Sequence, residues 1–463
     1  MKKHKTRLSA TLMAMLILTV FNPIIAQNNH AKSGTYLQEI KKEIVIPGEN
    51  EPEIIRLLPS GNTIVAVAKN KIFRFDGEKW STENLSFQCY TAATNAKGNI
   101  WLAGNGFVFN LAEKKKIELP EQAKTDTILC LFFEDEKTLL AGTTNGLWIW
   151  NGNWQKVAET GNIRVNQVAK GKGDELWLAT SDGLFQRKNR QWLNLNEYVM
   201  DAGLLRNFFS IAAGKTPGDV IFGSTFAISK IAADGEHWNF TGEDGLPFAP
   251  VTKIVQTENA LWLGTSNGAI KKDEKWHYYG GKRWLPDNKI NDILPVAENS
   301  VWIATAKGIS EIAQVTYSFE KKSEYFEKRL NQRHLHHNLV SDCRFETPGD
   351  TASWSCHTND NDGLWTSIYL AAECFRYAAT GDEEARNNAE RTFLAMEKLQ
   401  TVNPIPGFVA RSYVAIDEST GHDGEWHVSP DGKWKWKGDT SSDEIVGHMF
   451  AYPLFYELVA QGE

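Results

Sequence analysis

One short pattern of alternating apolar and polar residues recurs along most of the chain. Its clearest copy, residues 261–268, reads Leu-Trp-Leu-Gly-Thr-Ser-Asn-Gly. Equivalent positions are separated by steps of 39, 37, 44, 41 and 40 residues and are occupied by Trp101, Leu140, Trp177, Ile221, Trp262 and Trp302. A weaker copy at residues 64–67 precedes them, so the pattern predicts seven repeats of about 40 residues.

Each copy predicts a pair of short antiparallel strands. Alternating apolar positions form a strand with one buried face, and the Thr/Ser-Asn/Asp-Gly ending supplies a hairpin turn that tolerates positive φ. A second strand and a closing aromatic residue follow, as at residues 147–150 and Trp154. Several short strands in a repeat of this length are typical of a propeller blade, so seven copies predict seven blades.

The repeats resemble the propeller repeats found in the sensor regions of bacterial two-component regulators. The resemblance implies a fold for residues 43–317, a seven-bladed β-propeller, but no chemistry. We expect the segment 42–46 to pair with the last blade and close the ring. Blade five carries longer insertions at residues 203–205 and 242–248, and such insertions commonly form binding loops. The second insertion also resembles the joint between two blades.

The N-terminus has the pattern of an export signal. Four basic residues precede an apolar stretch at 8–25 that ends at Ala26-Gln27. This predicts a Sec signal peptide over residues 1–26 and a flexible linker over 27–42, with a retained membrane anchor as the alternative. The expected location is the periplasm or the cell exterior, without a stable membrane anchor, because no other apolar stretch is long enough to span a bilayer.

The charge balance bears on possible partners. Cleavage of the signal leaves 46 basic and 57 acidic residues, a net charge of −11. An acidic chain without a stripe of Lys and Arg argues against nucleic acid as a partner.

Beyond residue 317 the period of two gives way to a helical period. Helices are predicted over 319–337, 362–378, 383–399 and 441–459, a short strand over 407–413, and a capping box at Ser441 to Glu444. The helix pair joined by Thr380-Gly381-Asp382-Glu383-Glu384-Ala385 resembles the hairpins of (α/α) toroids, the fold of many glycoside hydrolases and polysaccharide lyases. Residues 318–463 hold too few helices for a six-hairpin toroid. The expected fold is therefore mainly β, a seven-bladed β-propeller followed by a smaller, incomplete α-helical toroid-like domain.

The toroid resemblance implies a cleft at the helix N-termini and the loops before them. Glycoside hydrolysis requires two carboxylates, one protonated and one ionised. Two such loops contain candidate carboxylates. Asp360 or Asp362 from one loop would face Asp439 or Asp443 from the other. The alternative is structural, with Asp362 as an N-cap and Asp443 and Glu444 serving the first turn of their helix.

Uronate elimination would need different groups, a base for the C5 proton and a cation for the carboxylate. Candidates of these types are Arg411, Tyr413, His427 and His357. Aromatic faces stack on sugar rings, and the candidates for substrate binding are Trp354, Trp426, Trp434, Trp436 and His357, while Trp365 is assigned to the core.

No cofactor or metal is predicted. His334, His336 and His337 lack the i, i+4 pair of a zinc helix, so we expect solvated helix histidines. Cys343 and Cys356 flank one loop, and both a local disulfide and free thiols are open. Phosphate-binding loops, dinucleotide fingerprints, GxSxG and HExxH are absent from the sequence.

Two functional hypotheses follow. The first, which the gathering of Asp, Arg, His, Tyr and Trp in the pre-helix loops favours, is an exported glycoside hydrolase or polysaccharide lyase acting on a complex glycan. The second is a non-enzymatic propeller module that binds or senses glycans. Both predict an oligo- or polysaccharide as the partner.

Overall fold

The computed structural model describes residues 34–172, 175–195, 207–246, 250–358, 360–420 and 424–460. The predicted signal peptide and the insertion at 203–205 lie outside these ranges. The chain forms two compact units, one over Gln38–Val315 and one from the described parts of Met1–Leu37 and Thr316–Glu463. Within the described residues, none of the helices is both long and apolar enough to cross a membrane.

The first unit consists of seven four-stranded sheets. Blade one contains β2 to β5 (Ile54–Ser60, Thr63–Ala68, Lys71–Phe75 and Trp80–Asn84), and blade two contains β6 to β9 (Thr91–Thr94, Ile100–Gly104, Phe107–Asn110 and Lys115–Glu118). Blade three contains β10 to β13 (Ile128–Phe133, Leu139–Thr143, Gly146–Trp150 and Trp154–Lys156), and blade four contains β14 to β17 (Val165–Lys170, Leu176–Thr180, Gly183–Lys188 and Gln191–Asn194). Blade five contains β18 to β21 (Ser210–Ala213, Val220–Gly223, Ile228–Ile231 and His237–Phe240), and blade six contains β22 to β25 (Val251–Gln256, Leu261–Thr265, Gly268–Lys272 and Trp276–Tyr279). Blade seven contains β26 to β28 (Ile290–Ala297, Ser300–Thr305 and Gly308–Ser318) together with β1 (Thr35–Ile44). The repeated sequence pattern forms the second strand of each blade and the turn to the third, which is the strand-turn-strand unit that the pattern predicted.

The blades form a closed ring. The first strand of every blade packs against the first strand of the next, and β2 of blade one packs against β26 of blade seven. Blade seven has the order β1-β28-β27-β26, so a strand that precedes blade one supplies its outer edge and closes the ring as expected. This strand begins at Thr35, which corrects the assignment of residues 35–42 to a flexible linker.

A buried threonine holds the hairpin between the second and third strands in four blades. Its hydroxyl donates to the carbonyl of the glycine three residues later and accepts from the backbone N–H two residues later. In blade six, Thr265 Oγ1 lies 2.8 Å from the Gly268 oxygen and 3.0 Å from the Asn267 nitrogen. The other members of the set are Thr143, Thr180 and Thr305. Gly268 has φ 114°, a left-handed conformation that explains the glycine in the pattern.

One apolar core lies between each pair of neighbouring blades, including blades seven and one. The tryptophans of the repeated pattern occupy these cores, and Trp177, Trp262 and Trp302 are buried. Each core needs two blades to cover it. The ring is therefore stabilised by burial between repeats, at ~25 cal/mol per Å² of apolar surface.

The second unit contains four helices and seven short strands within its described residues. The helices are α1 (Phe319–Arg333), α2 (Asp362–Thr380), α3 (Glu383–Thr401) and α4 (Ser442–Leu458). The strands form two hairpins and a three-stranded sheet ordered β33-β35-β34; they are β29 (Leu335–His336), β30 (Leu339–Val340), β31 (Asp342–Phe345), β32 (Trp354–His357), β33 (Tyr413–Ala415), β34 (Trp426–Val428) and β35 (Trp434–Lys437). The expectation that this unit is an incomplete toroid stays a prediction.

Several local predictions for this unit are wrong. Helix α1 ends at Arg333, and the predicted strand at 407–413 begins only at Tyr413. Ser441 makes no capping hydrogen bond, so the expected capping box is absent. Trp365, assigned to the core, is exposed.

The caps of α2 and α3 explain the turn between them. Asp382 accepts a hydrogen bond from the Glu384 N–H and caps α3, while Gly381 ends α2 in a left-handed conformation. The N-cap of α2 is Asn361, so Asp362 is not the cap that the sequence suggested.

Candidate functional site

The second unit contains a small polar cleft, here called the C-terminal cleft. Its cavity measures about 160 Å³ and is lined by Asp342, Arg344, His357, Thr358, Asp360, Thr420, Trp426 and Lys437. Most of these side chains come from two pairs of short strands. Strand β31 pairs with β32, and β34 pairs with β35. The volume is below the ~300–1,000 Å³ of typical small-molecule sites, so the cleft suits one ring or one acidic group of a larger ligand.

Asp360 is held by two cations. The ammonium of Lys437, at the end of β35, donates to the Asp360 carboxylate. Arg411 donates through Nε to the Asp360 carbonyl and through Nη1 to the Asp439 carbonyl at 2.9 Å. The Lys437 hydrogen bond lowers the pKa of Asp360 below its ordinary value, with Arg411 acting in the same direction. Asp360 is therefore an ionised acceptor and not a proton donor.

A second pair of carboxyl groups, Asp362 and Glu444, is fully buried next to Arg411. The hydroxyl of Ser412 donates to Asp362 at 2.6 Å. Glu444 fits because Gly363 has no side chain: a Cβ there would lie 1.9 Å from Glu444 Oε2. Burial raises the pKa of Glu444 to about 8, Arg411 lowers it, and the charge of Asp362 raises it further. Glu444 is thus mainly protonated at neutral pH.

The structure brings together only part of the predicted catalytic set. His357, Asp360 and Trp426 line the cleft, and Arg411 contacts Asp360. Asp443 lies on the exposed side of α4, so the buried carboxyl of that turn belongs to Glu444 instead.

The remaining predicted site residues have other surroundings. Tyr413 is buried, does not line the C-terminal cleft, and donates its hydroxyl to the carbonyl of His337 at 3.0 Å. His427 is exposed and packs with a tilted ring against the buried Trp436, 4.5 Å between ring centroids. Asp439 is exposed and accepts from the Glu425 N–H at 3.4 Å. Two further tryptophans are placed elsewhere, Trp434 against Tyr413 and His337, and Trp354 on strand β32.

The sequence analysis missed four residues of this region, Arg344, Lys437, Asp342 and Glu444. Arg344 is exposed at the cleft and has no hydrogen-bond or ion-pair partner among the described residues. A signal for Lys437 was available, because Trp434-Lys435-Trp436-Lys437 alternates like a strand and directs both lysines to one face. No local pattern distinguishes Glu444 from Asp443.

Cys343 and Cys356 face each other across β31 and β32. Both are free thiols in the structure and are partly exposed, not deeply buried. Burial nevertheless raises the pKa of Cys356 to about 11, so its thiol is protonated at neutral pH.

The propeller unit has a larger groove on the side of blades six and seven, with a cavity of about 520 Å³. Several of its charged groups are paired with each other: Lys271 lies 2.9 Å from Glu39 and 3.0 Å from Asp273, and His277 lies 3.0 Å from Asp273. The segment at 242–248, for which a binding loop and a joint between blades were both open, begins with a short 3₁₀ turn closed by Thr241 and Asp244, and its residues 247–248 lie outside the described ranges. This geometry fits the joint between blades.

These observations define the class of the protein, a seven-bladed β-propeller followed by a small helical unit. No family model and no curated protein matches the chain. The structure is similar to the extracellular domain of the hybrid two-component system BT3049 from B. thetaiotaomicron, with a TM-score of 0.50 and 13% identity over 67% of this chain and 44% of that chain. Similarity also extends to the extracellular domain of the one-component system BT4673 from the same organism, with a TM-score of 0.49 and 16% identity over 59% and 39% of the two chains. The virginiamycin B lyase from Staphylococcus aureus has a TM-score of 0.49 and 12% identity over 61% and 100%.

The chain spans about two fifths of the length of the two extracellular domains. At these identities the similarity shows the fold alone. The predicted relation of the repeats to sensor-region propellers is confirmed at the level of the fold. The toroid resemblance stays a prediction.

Proposed function

We propose that this chain is an exported recognition module that binds an acidic glycan without converting it. The sequence raised a non-enzymatic alternative in which the propeller binds the glycan; the present proposal keeps the binding role and assigns it to the second unit. The observation that carries the proposal is the C-terminal cleft, where Lys437 holds Asp360 as an acceptor and the guanidinium of Arg344, which has no ion-pair partner among the described residues, lines the same cavity.

The lining of the cleft suits a uronate-containing sugar. Asp342 and Asp360 supply acceptors for sugar hydroxyl groups, and the ring of Trp426 supplies a stacking face. Arg344 supplies a planar fork of donors that matches a carboxylate. Together these groups cover the hydroxyl, ring-face and carboxylate features of one uronate residue.

The carboxyl groups do not favour glycoside hydrolysis. That reaction needs a protonated acid and an ionised partner on either side of the glycosidic bond. Asp360 is held ionised by Lys437, and the protonated Glu444 is fully buried where a substrate oxygen has no access. The acid and the acceptor therefore do not face a common ligand, which supports binding over turnover.

Two further points support export and sensing. The sequence has the pattern of a signal peptide over residues 1–26. The propeller of BT3049, which has the same fold, belongs to the extracellular domain of a hybrid two-component system. An exported module of this kind would bind the glycan outside the cytoplasm.

The test is calorimetric titration of the full chain with uronate oligosaccharides and with neutral oligosaccharides of the same length. We expect Arg344→Gln to weaken binding of the acidic ligand ~10–100-fold, because a hydrogen bond to a charged group contributes ~1.5–3 kcal/mol. Trp426→Ala should weaken both ligand classes. Arg386→Gln on the exposed face of α3 is the matched control and should leave binding unchanged.

Turnover is measured on the same samples, through new reducing ends for hydrolysis and unsaturated sugar products for elimination. The proposal fails if products accumulate with the unmodified chain and disappear in His357→Gln, because the cleft would then be an active site. It also fails if Arg344→Gln binds the acidic ligand as tightly as the unmodified chain does.

A further inference from the structure

Two adjacent histidines of the second unit turn toward the same side of the chain. His336 ends strand β29 and His337 begins the two-residue turn to β30, with φ of 50° at His337 and 67° at Asn338. Successive side chains of a strand normally point to opposite faces, whereas a turn with positive φ rotates the second one. The two imidazole rings consequently lie 4.4 Å apart between centroids.

This arrangement corrects the expectation of solvated helix histidines. Helix α1 ends at Arg333, and only His334, its C-cap, belongs to the helix end. His336 and His337 instead direct their Nε2 atoms at one carboxylate, Glu418, which is about 80 residues away in the sequence.

Glu418 is held in place from several directions. Its Oε1 accepts the Ala415 N–H at 3.0 Å, its own N–H bonds the Ala415 carbonyl at 3.0 Å, and its carbonyl accepts from Lys435 Nζ at 2.8 Å. His336 Nε2 lies 2.7 Å from Glu418 Oε2, and His337 Nε2 contacts Oε1.

The histidine turn is also supported. The hydroxyl of Tyr413 donates to the His337 carbonyl at 3.0 Å, and the His337 ring packs edge-on against Trp434 at 5.2 Å. The three side chains thus approach one another from two separately anchored segments.

We propose that His336, His337 and Glu418 form a binding site for Zn²⁺. Their three ligand atoms lie within 4.8 Å of one another. Two imidazoles and one carboxylate are the ligand set of zinc sites that keep a fourth position for water or a ligand. Zinc bonds of ~2.0–2.2 Å require these atoms to surround a common point, so a bound ion would take the place of the two imidazole–carboxylate hydrogen bonds.

The surroundings favour an exchangeable ion over a permanent structural one. The side chains of His336, His337 and Glu418 are 22%, 26% and 32% exposed, so an ion reaches them from solvent. His336 Nδ1 has no hydrogen-bond partner among the described residues, and the acceptor that usually orients a zinc-bound imidazole is therefore missing. The zinc proposal does not rest on the proposed glycan binding in the C-terminal cleft.

The test uses the full chain, stripped with a chelator and then dialysed against Zn²⁺, with the bound metal measured by mass spectrometry of the elements. We expect one equivalent of zinc and a raised thermal midpoint. Co²⁺ in place of zinc should give the visible absorption of a low-coordinate nitrogen and oxygen site.

His336→Gln and Glu418→Gln should each weaken zinc binding by at least ~tenfold. The second variant keeps an oxygen for the Ala415 N–H, so its fold should persist, which circular dichroism checks. His334→Gln is the matched control, because this histidine is two residues from the site but outside it. The proposal is overturned if the unmodified chain retains no zinc, or if Glu418→Gln retains as much as His334→Gln.

Discussion

Replacing Glu444 by glutamine should remove a pH dependence from the stability of the helical unit. Glu444 is fully buried beside Asp362, and its pKa is about 8 in the folded chain against 4.5 for the free group. The folded state consequently binds more protons than the unfolded state between these two values. The stability that this difference in proton binding contributes is fully present below the pKa of the free group. It is lost as the pH rises through the folded-state pKa of about 8.

The magnitude follows from this displacement. At ~1.4 kcal/mol per pH unit, ionising Glu444 in the folded state costs at most ~5 kcal/mol. Glu373 acts in the same direction, because burial and the charge of Glu327 raise its pKa to about 7. We therefore expect the free energy of unfolding to fall by several kcal/mol between mildly acidic and mildly alkaline pH.

The assay is urea unfolding of the full chain across this pH range, with the helical transition followed by circular dichroism. Glu444→Gln should match the unmodified chain at acidic pH, where Glu444 is protonated, and exceed it at alkaline pH by up to ~5 kcal/mol. Glu457→Gln, on the exposed side of the same helix, is the control and should change stability by no more than ~0.5 kcal/mol. Parallel curves for Glu444→Gln and the unmodified chain would refute the argument.

Three further outcomes are expected. Gly363→Ala should destabilise the helical unit by ~1–3 kcal/mol in urea unfolding, because the added methyl group overlaps the Glu444 carboxyl; an equal loss in a Glu444→Ala background would contradict this. Thr265→Val should cost the propeller ~1–2 kcal/mol through two lost hydrogen bonds, measured by calorimetry, while Thr82→Val at an exposed position of β5 should cost far less. Mass spectrometry of exported protein should place the N-terminus within a few residues of Gln27, and an intact Met1 would show the signal prediction wrong.

The sequence determined the propeller because the residues that form the strands and turns of each repeat lie close together in the chain. Alternating apolar residues, a turn glycine and a closing tryptophan act within a few residues of each other, and Gly268 at φ 114° is where the turn requires it. Repetition then identifies the architecture even where one copy is weak, as at residues 64–67. The helices of the second unit were predictable for the same reason, since their period is local.

Tertiary structure alone decided which polar groups meet. Asp443 and Glu444 are neighbours on one helix turn, and only the packing of Gly363 against that turn shows which carboxyl is buried. Likewise, His337 turns toward Glu418 because of a left-handed residue in a hairpin that periodicity assigned to a helix. Sites of this kind are assembled from residues about 50 to 80 positions apart, as with Ser412 and Asp362 or His336 and Glu418. The distances between such side chains depend on how separate segments pack against each other. A local sequence pattern does not specify that packing.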